Sequence, residues 1–161
     1  MRTGDFRGGI DDLTRVLTFF TGAGTTSQSV LVDLMDAQKA AGNPRLAIFH
    51  GKQAVNHVQL IRRNIQRLSP DLQDTFVRTN EKPYHALAEL LIEQGRLAEA
   101  EQVLGLLKEK ELFDFVRRDS NAATAAGNAA LTAEEAEWTA RWEKIGAQLA
   151  AIGGERADLA A

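Results

Sequence analysis

The sequence predicts an all-α chain of antiparallel helical hairpins, a degenerate α-solenoid that ends in a coiled-coil-like helix. Three observations carry this expectation. Apolar residues recur at steps of three and four over most of the 161 residues. Alanine, leucine, glutamate, glutamine and arginine are abundant, with one Tyr and three Pro, and no segment reads as a strand. Periodic stretches also meet in pairs at single glycines, as in a helical hairpin.

Residues 1–26 are expected as an N-terminal segment with one short helix. Gly4, Gly8 and Gly9 make the first nine residues a poor ordering signal. Ile10, Leu13, Leu17 and Phe20 then form an apolar stripe, with Asp11 and Asp12 near its N-terminus, where negative charge is favoured. The run Thr21 to Thr26 (T-G-A-G-T-T) ends the helix. It has the glycines of a phosphate cradle, but no Gly-Lys-Ser/Thr follows and no strand precedes, so it reads as an inter-helix turn.

Residues 27–119 are expected as the main helical domain. A helix over Ser27 to Ala41 carries Leu31, Leu34 and Met35 inward and stops at Gly42-Asn43-Pro44. From Pro44 to Leu68, Ala47, Gly51, Ala54, Val58, Ile61, Ile65 and Leu68 recur at four-three steps, which predicts one helix of about 37 Å. Ser69-Pro70-Asp71-Leu72 starts a short helix with Leu72, Phe76 and Val77, ending near Asn80. From Pro83 to Glu111, Tyr84, Leu87, Ala88 and Leu91 stripe one helix, Gly95 breaks it, and Leu97, Ala100, Leu104 and Leu107 stripe the next. Ala47, Ala54, Ala88 and Ala100 are the expected points of close approach, since helices cross closely where a short side chain admits the neighbouring backbone.

This last hairpin fits the tetratricopeptide (TPR) template, and residues 27–60 look like a weaker copy, with Gln38 at an apolar position and Gly51 at a bulky one. The turn glycines Gly42 and Gly95 lie farther apart than the repeat of about 34 residues, which marks an insertion. Leu112, Phe113, Phe115 and Val116 close an apolar patch before Arg117. Residues 120–131, mostly Ala, Asn, Thr and Gly, read as a flexible linker. Residues 132–161 read as a C-terminal helical arm. Thr132 and Glu135 make a capping box, and Trp138, Trp142, Ile145, Leu149 and Ile152 keep four-three steps as far as Gly153-Gly154. A Trp pair one turn apart is more often core or helix-pairing surface than a ligand stack.

Composition narrows the chemistry. An apolar content of 44% suits one ordinary globular unit, and the absence of cysteine removes disulfides, thiolate metal sites and a cysteine nucleophile. No apolar run nears the ~20 residues of a membrane span and no signal peptide is evident, so a cytoplasmic protein is expected. The net charge of -3 conceals a window from Asp36 to Asp71 that has no acidic residue between its ends but holds Lys39, Arg45, Lys52, Arg62, Arg63 and Arg67. Interleaved aromatics are few there, so pairing with acidic neighbours such as Glu89, Glu93, Glu99 and Glu101 is favoured over a nucleic-acid site.

A TPR groove is lined by the outer face of each first helix. By that template the candidate partner-binding residues are Lys82, His85, Glu89, Ile92 and Glu93 in the clear hairpin, and Ser29, Val32, Asp36 and Lys39 in the weak one. The alternative is that other helices of the same chain cover these faces. An uncovered hairpin end would instead pair with itself or another chain. His50 and His57 lie two turns apart and His85 elsewhere, which does not supply the three or four ligands of a zinc site. Glu89 with Glu93, and Glu134 with Glu135, read as surface charge, because nothing marks an apolar pocket that would shift their pKa values. No catalytic residue, cofactor or metal is assigned.

Three segments together resemble one family: A-I-F-H-G-K-Q-A-V-N at 47–56, the hairpin with its trailing F-D-F-V-R-R-D at 113–119, and L-T-A-E-E-A-E-W at 131–138. They are similar to the helical region preceding the peptidase domain of bacterial TPR-CHAT (caspase HetF associated with TPRs) proteins, over roughly residues 30–150. In that family the catalytic His and Cys lie in the downstream CHAT domain, so no peptidase residue carries over. The resemblance implies a non-enzymatic regulatory or sensor arm, whose partner would be a peptide, a partner helix or a CHAT protease domain. The competing expectation is a small-ligand-sensing helical bundle or small helical enzyme, with a cavity bounded by Val58, Ile61, Trp138 and Trp142.

Overall fold

The computed structural model describes residues 6–22, 28–116 and 127–159. Among these, seven α-helices and no strand occur, so the chain is all-α: α1 Phe6–Gly22, α2 Gln28–Ala40, α3 Pro44–Asn64, α4 Pro70–Thr79, α5 Lys82–Glu93, α6 Leu97–Val116 and α7 Ala133–Leu159. They form two compact units. One comprises residues 1–50 and 131–161, the other residues 51–130. The expected T-G-A-G-T-T turn falls mostly on residues 23–27, outside the described residues, as do the first half of the expected linker and Arg117-Arg118-Asp119.

In the first unit α1 packs on α2 and α7, and Leu17, Leu31, Leu34, Met35, Ala47, Ile48 and Phe49 are buried. The start of α7 is built as its sequence requires. The Glu135 amide donates to Thr132 Oγ1 at 3.2 Å while the Thr132 amide donates to Glu135 Oε2 at 2.8 Å, which is a reciprocal capping box. One turn later the Trp138 ring meets Phe49 edge-on, with centroids 5.3 Å apart. The Arg45 guanidinium lies 5.9 Å from the Trp138 ring centre and also binds Glu134. Contrary to expectation, α7 does not stop at Gly153-Gly154 but runs to Leu159, since glycine weakens a helix without forbidding it.

In the second unit α5 and α6 form an antiparallel hairpin. Tyr84, Leu87, Ala88 and Leu91 are buried from α5, and Ala100, Val103 and Leu106 from α6. The last turns of α3 add Ala54, Val55 and Val58 to this core. The helix is shorter than its apolar stripe implied, ending at Asn64 rather than Leu68, and so spans about 31 Å. Two causes are visible. The Gln73 amide group donates to the carbonyls of Gln66 and Leu68 at 3.1 and 2.8 Å, satisfying acceptors of the turn that follows the helix. Pro70 also disfavours helical backbone at Ser69 before α4 begins.

The two interhelical turns are built alike. At Gly42 (φ 77°) the Gly42 amide donates to Lys39 O and the Asn43 amide to Gln38 O; at Gly95 (φ 71°) the Gly95 amide donates to Ile92 O and the Arg96 amide to Leu91 O. Each is a Schellman cap. In each, the residue after glycine opens the next helix, its carbonyl accepting from Ala47 in one case and Ala100 in the other. Ala47 and Ala100 are both buried, five positions beyond their glycine.

A Cβ at Gly95 would meet nothing within 4 Å, so only the left-handed backbone resists substitution. Gly95→Ala is therefore expected to cost about 1–2 kcal/mol. Gly105, mid-helix in α6, also has open space at its Cβ position, and Gly105→Ala is expected to gain about 1 kcal/mol of fold stability. Urea denaturation of the two variants reads both signs.

Candidate partner-binding surface and the buried lysine

Two regions of the second unit carry functional interest, one polar and buried, the other an exposed surface. The buried one begins at α3. Lys52, Asn56, Gln59 and Arg63 are spaced four, three and four residues apart and share one helical face. Lys52 is only 1% exposed. Its ammonium donates to Glu99 Oε2 at 2.5 Å and to the Ala130 carbonyl at 2.6 Å. Arg96 approaches the same carboxylate with two donors, Nε to Oε1 at 2.6 Å and Nη2 to Oε2 at 2.7 Å. Burial works to raise the Glu99 pKa, and the hydrogen bonds from Arg96 and Lys52, with their charges, outweigh it, holding the carboxyl below the usual range.

The same face holds the segment before α7. The Ala129 amide donates to Asn56 Oδ1 at 2.7 Å while Asn56 Nδ2 donates to the Ala129 carbonyl at 3.2 Å. From α6, Gln102 Oε1 accepts from the Ala130 amide at 3.2 Å, and Arg63 donates to Asn128 Oδ1 at 3.0 Å. Ala129 is buried where its methyl group enters the core. Residues 127–130, expected as the end of a flexible linker, are thus pinned through their backbone. Their low-complexity composition concealed this because the recognition is of peptide groups, and small side chains are what permit it. Nearby, Gln59 is fully buried with Oε1 unpartnered, and the Leu106 carbonyl is taken by Arg62 at 2.8 Å.

Several of the basic residues from the acid-free window are therefore committed within the fold. Lys52 and Arg45 are paired to carboxylates, and Arg62 and Arg63 bind oxygens of Leu106 and Asn128. His57 is half-buried, and burial lowers its pKa. Among the described residues, no group of three or more His, Asp or Glu side chains could hold a metal ion, and no helix is long and apolar enough to cross a membrane.

The exposed surface is on the α5–α6 hairpin. Lys82, His85, Glu89, Ile92 and Glu93 all stand exposed along α5, opposite the buried Tyr84, Leu87, Ala88 and Leu91. On α2, in the first unit, Ser29, Asp36 and Lys39 are exposed and Val32 is half-buried. Sequence reasoning missed what lies beside the α5 row: an open groove of about 490 Å³ lined by Ile92, Leu97, Ala100, Glu101, Leu104, Gly105 and Lys108. Ile92 and Leu97 are 52% and 63% exposed there. The available signal was Glu101 and Lys108 bracketing Leu104 and Gly105 at helical spacing. Of the residues proposed to bound a ligand cavity, Val58 and Ile61 belong to the second unit and Trp138 and Trp142 to the first.

No protein-family model, no curated protein and no solved structure matches this chain.

Two measurements check the buried cluster. Lys52→Ala leaves the Ala130 carbonyl without its donor and is expected to cost about 3 kcal/mol in chemical denaturation. Acid unfolding should show two losses of stability. The depressed His57 pKa means its contribution is complete above the ordinary value of 6.5 and declines as pH falls below it, because the unfolded chain takes up the proton first. The depressed Glu99 pKa acts likewise below the ordinary 4.5. In a pH series of thermal melts, His57→Gln should remove the upper loss and keep the lower.

Proposed function

We propose that this chain is a non-catalytic protein-interaction module of TPR-like type that captures a peptide or partner helix on the outer face of α5. In that reading it is the regulatory or sensor arm of a CHAT-type protease system. The observation that carries the reading is the division of α5 into two faces. One is wholly buried in the hairpin, and the other presents Lys82, His85, Glu89, Ile92 and Glu93 outward as one continuous row. A row of mixed charge around one isoleucine suits a peptide that brings both an apolar anchor and basic groups. The matching Schellman turns, and the shared register of Leu31, Leu34 and Met35 before Gly42 with Tyr84, Leu87 and Ala88 before Gly95, support two copies of one helical hairpin. The resemblance of residues 47–56, 113–119 and 131–138 to the helices before a CHAT domain supports the regulatory role. It makes the protease domain of such a system, or a segment that controls it, the partner to test.

Affinity selection of peptides from a random display library, followed by calorimetry of those retained, measures this capture. Glu89→Lys with Glu93→Lys is expected to weaken binding at least about tenfold, with helicity by circular dichroism unchanged. Undiminished binding by the double variant would remove the α5 face from consideration.

A further inference from the structure

The groove beside Leu104 presents a question about α6 that the fold alone does not answer. Gly105 sits in the middle of a helix, where glycine costs about 1 kcal/mol relative to alanine, and a Cβ there would touch nothing within 4 Å. Among the described residues, neither a turn nor a close approach requires it. The stripe that contains it is apolar and open: Leu97 is 63% exposed, and Leu104 is half-buried. It is bracketed by opposite charges, Glu101 and Lys108, both exposed and neither in an ion pair among the described residues.

We propose that this face of α6 docks on the same face of a second copy of the chain, with the two α6 helices antiparallel about a two-fold axis that passes between Leu104 and Gly105. A two-fold interface joins one surface patch to itself, so the patch must be complementary to its own rotated image. This stripe meets that condition in both charge and shape. In the antiparallel arrangement Glu101 of each copy faces Lys108 of the other, giving two ion pairs. Leu104 of each copy enters the space that Gly105 leaves open on the other, and the backbones approach closely there. Parallel, in-register packing would set Glu101 against Glu101 and Lys108 against Lys108, so the charge pattern selects the antiparallel form. A single helix pair buries little area, so the association belongs at the weak end of specific interfaces, with a dissociation constant in the micromolar range.

Sedimentation velocity of the full chain across a micromolar concentration series reads the association, with circular dichroism as the check on folding. The wild-type chain is expected to show a monomer–dimer equilibrium. Glu101→Lys alone and Lys108→Glu alone each create two like-charge contacts and raise the dissociation constant at least about tenfold. The combined E101K/K108E variant restores the pairs in reversed order and returns the constant to within about threefold of wild type. Gly105→Leu fills the gap and weakens association by a similar factor. All three substitutions are on exposed positions, and all four variants leave helicity unchanged. A chain that stays monomeric up to about millimolar concentration overturns the proposal, and so does a double swap that fails to recover what each single swap loses. The Glu89 and Glu93 substitutions on α5 leave this equilibrium unchanged, so the outcome here is separate from capture by the α5 row.

Discussion

An ammonium group withdrawn from water must find its hydrogen-bond partners within the protein, and the second unit is organised around meeting that requirement for Lys52. Its donors reach a carboxylate on α6 and a carbonyl in the irregular segment before α7, so one side chain ties three separate stretches of chain together. Arg96 completes the arrangement by binding both oxygens of Glu99 through an i, i+3 pair. The carboxylate is then held by donors from α3 and from the turn that opens α6. Replacing such a pair by apolar residues need not weaken a fold, but removing one partner does, because the other charge stays buried. The cluster therefore acts as a constraint on arrangement more than as a source of net stability.

That constraint explains why Gly127 to Ala130 takes a defined path without any large side chain of its own. Asn56 offers an acceptor and a donor to the two polar groups of one residue, Ala129, and Gln102 and Lys52 bind the peptide groups of the next. A strand of a sheet satisfies its backbone in the same way, with the partners here being side chains on two helices. Ala129 itself is buried.

The hairpins were legible in the sequence because their determinants are local. A glycine at positive φ, alanines five and twelve residues after Gly42, and an apolar stripe before it specify a turn and a contact face with no information from elsewhere in the chain. Even the misfit at Gln38, buried where the second hairpin has Leu91, resolves locally, since its Oε1 accepts from Asn43 Nδ2 at 3.0 Å across the turn. What was not legible is long-range and polar. Periodicity weighs apolar residues, so it found the Ala47–Val58 stripe on α3 and passed over Lys52, Asn56, Gln59 and Arg63, whose partners lie 47 to 78 positions away. The end of α3 escaped for a similar reason. The stripe continues through Ile65 and Leu68, but Leu68 is 48% exposed, and the Gln73 side chain binds carbonyls of the irregular turn that replaces the helix there.

The same division between inward and outward polar groups bears on what kind of function the second unit can support. The side chains of its buried cluster, Lys52, Glu99 and Arg96, are bonded to one another and, through Lys52, to a backbone carbonyl. Catalysis needs a perturbed group that retains capacity for a substrate, and in this cluster the carboxylate already accepts three charged hydrogen bonds. The accessible groups stand in two rows at helical spacing on neighbouring faces of one hairpin. Selectivity on such a surface comes from the order of charges along a helix and from where a side chain is missing. On α5 that order mixes signs around Ile92, the pattern on which the proposed capture of a peptide rests. On α6 it is antisymmetric about Leu104 and Gly105, and an antisymmetric row is matched by its own reversed copy.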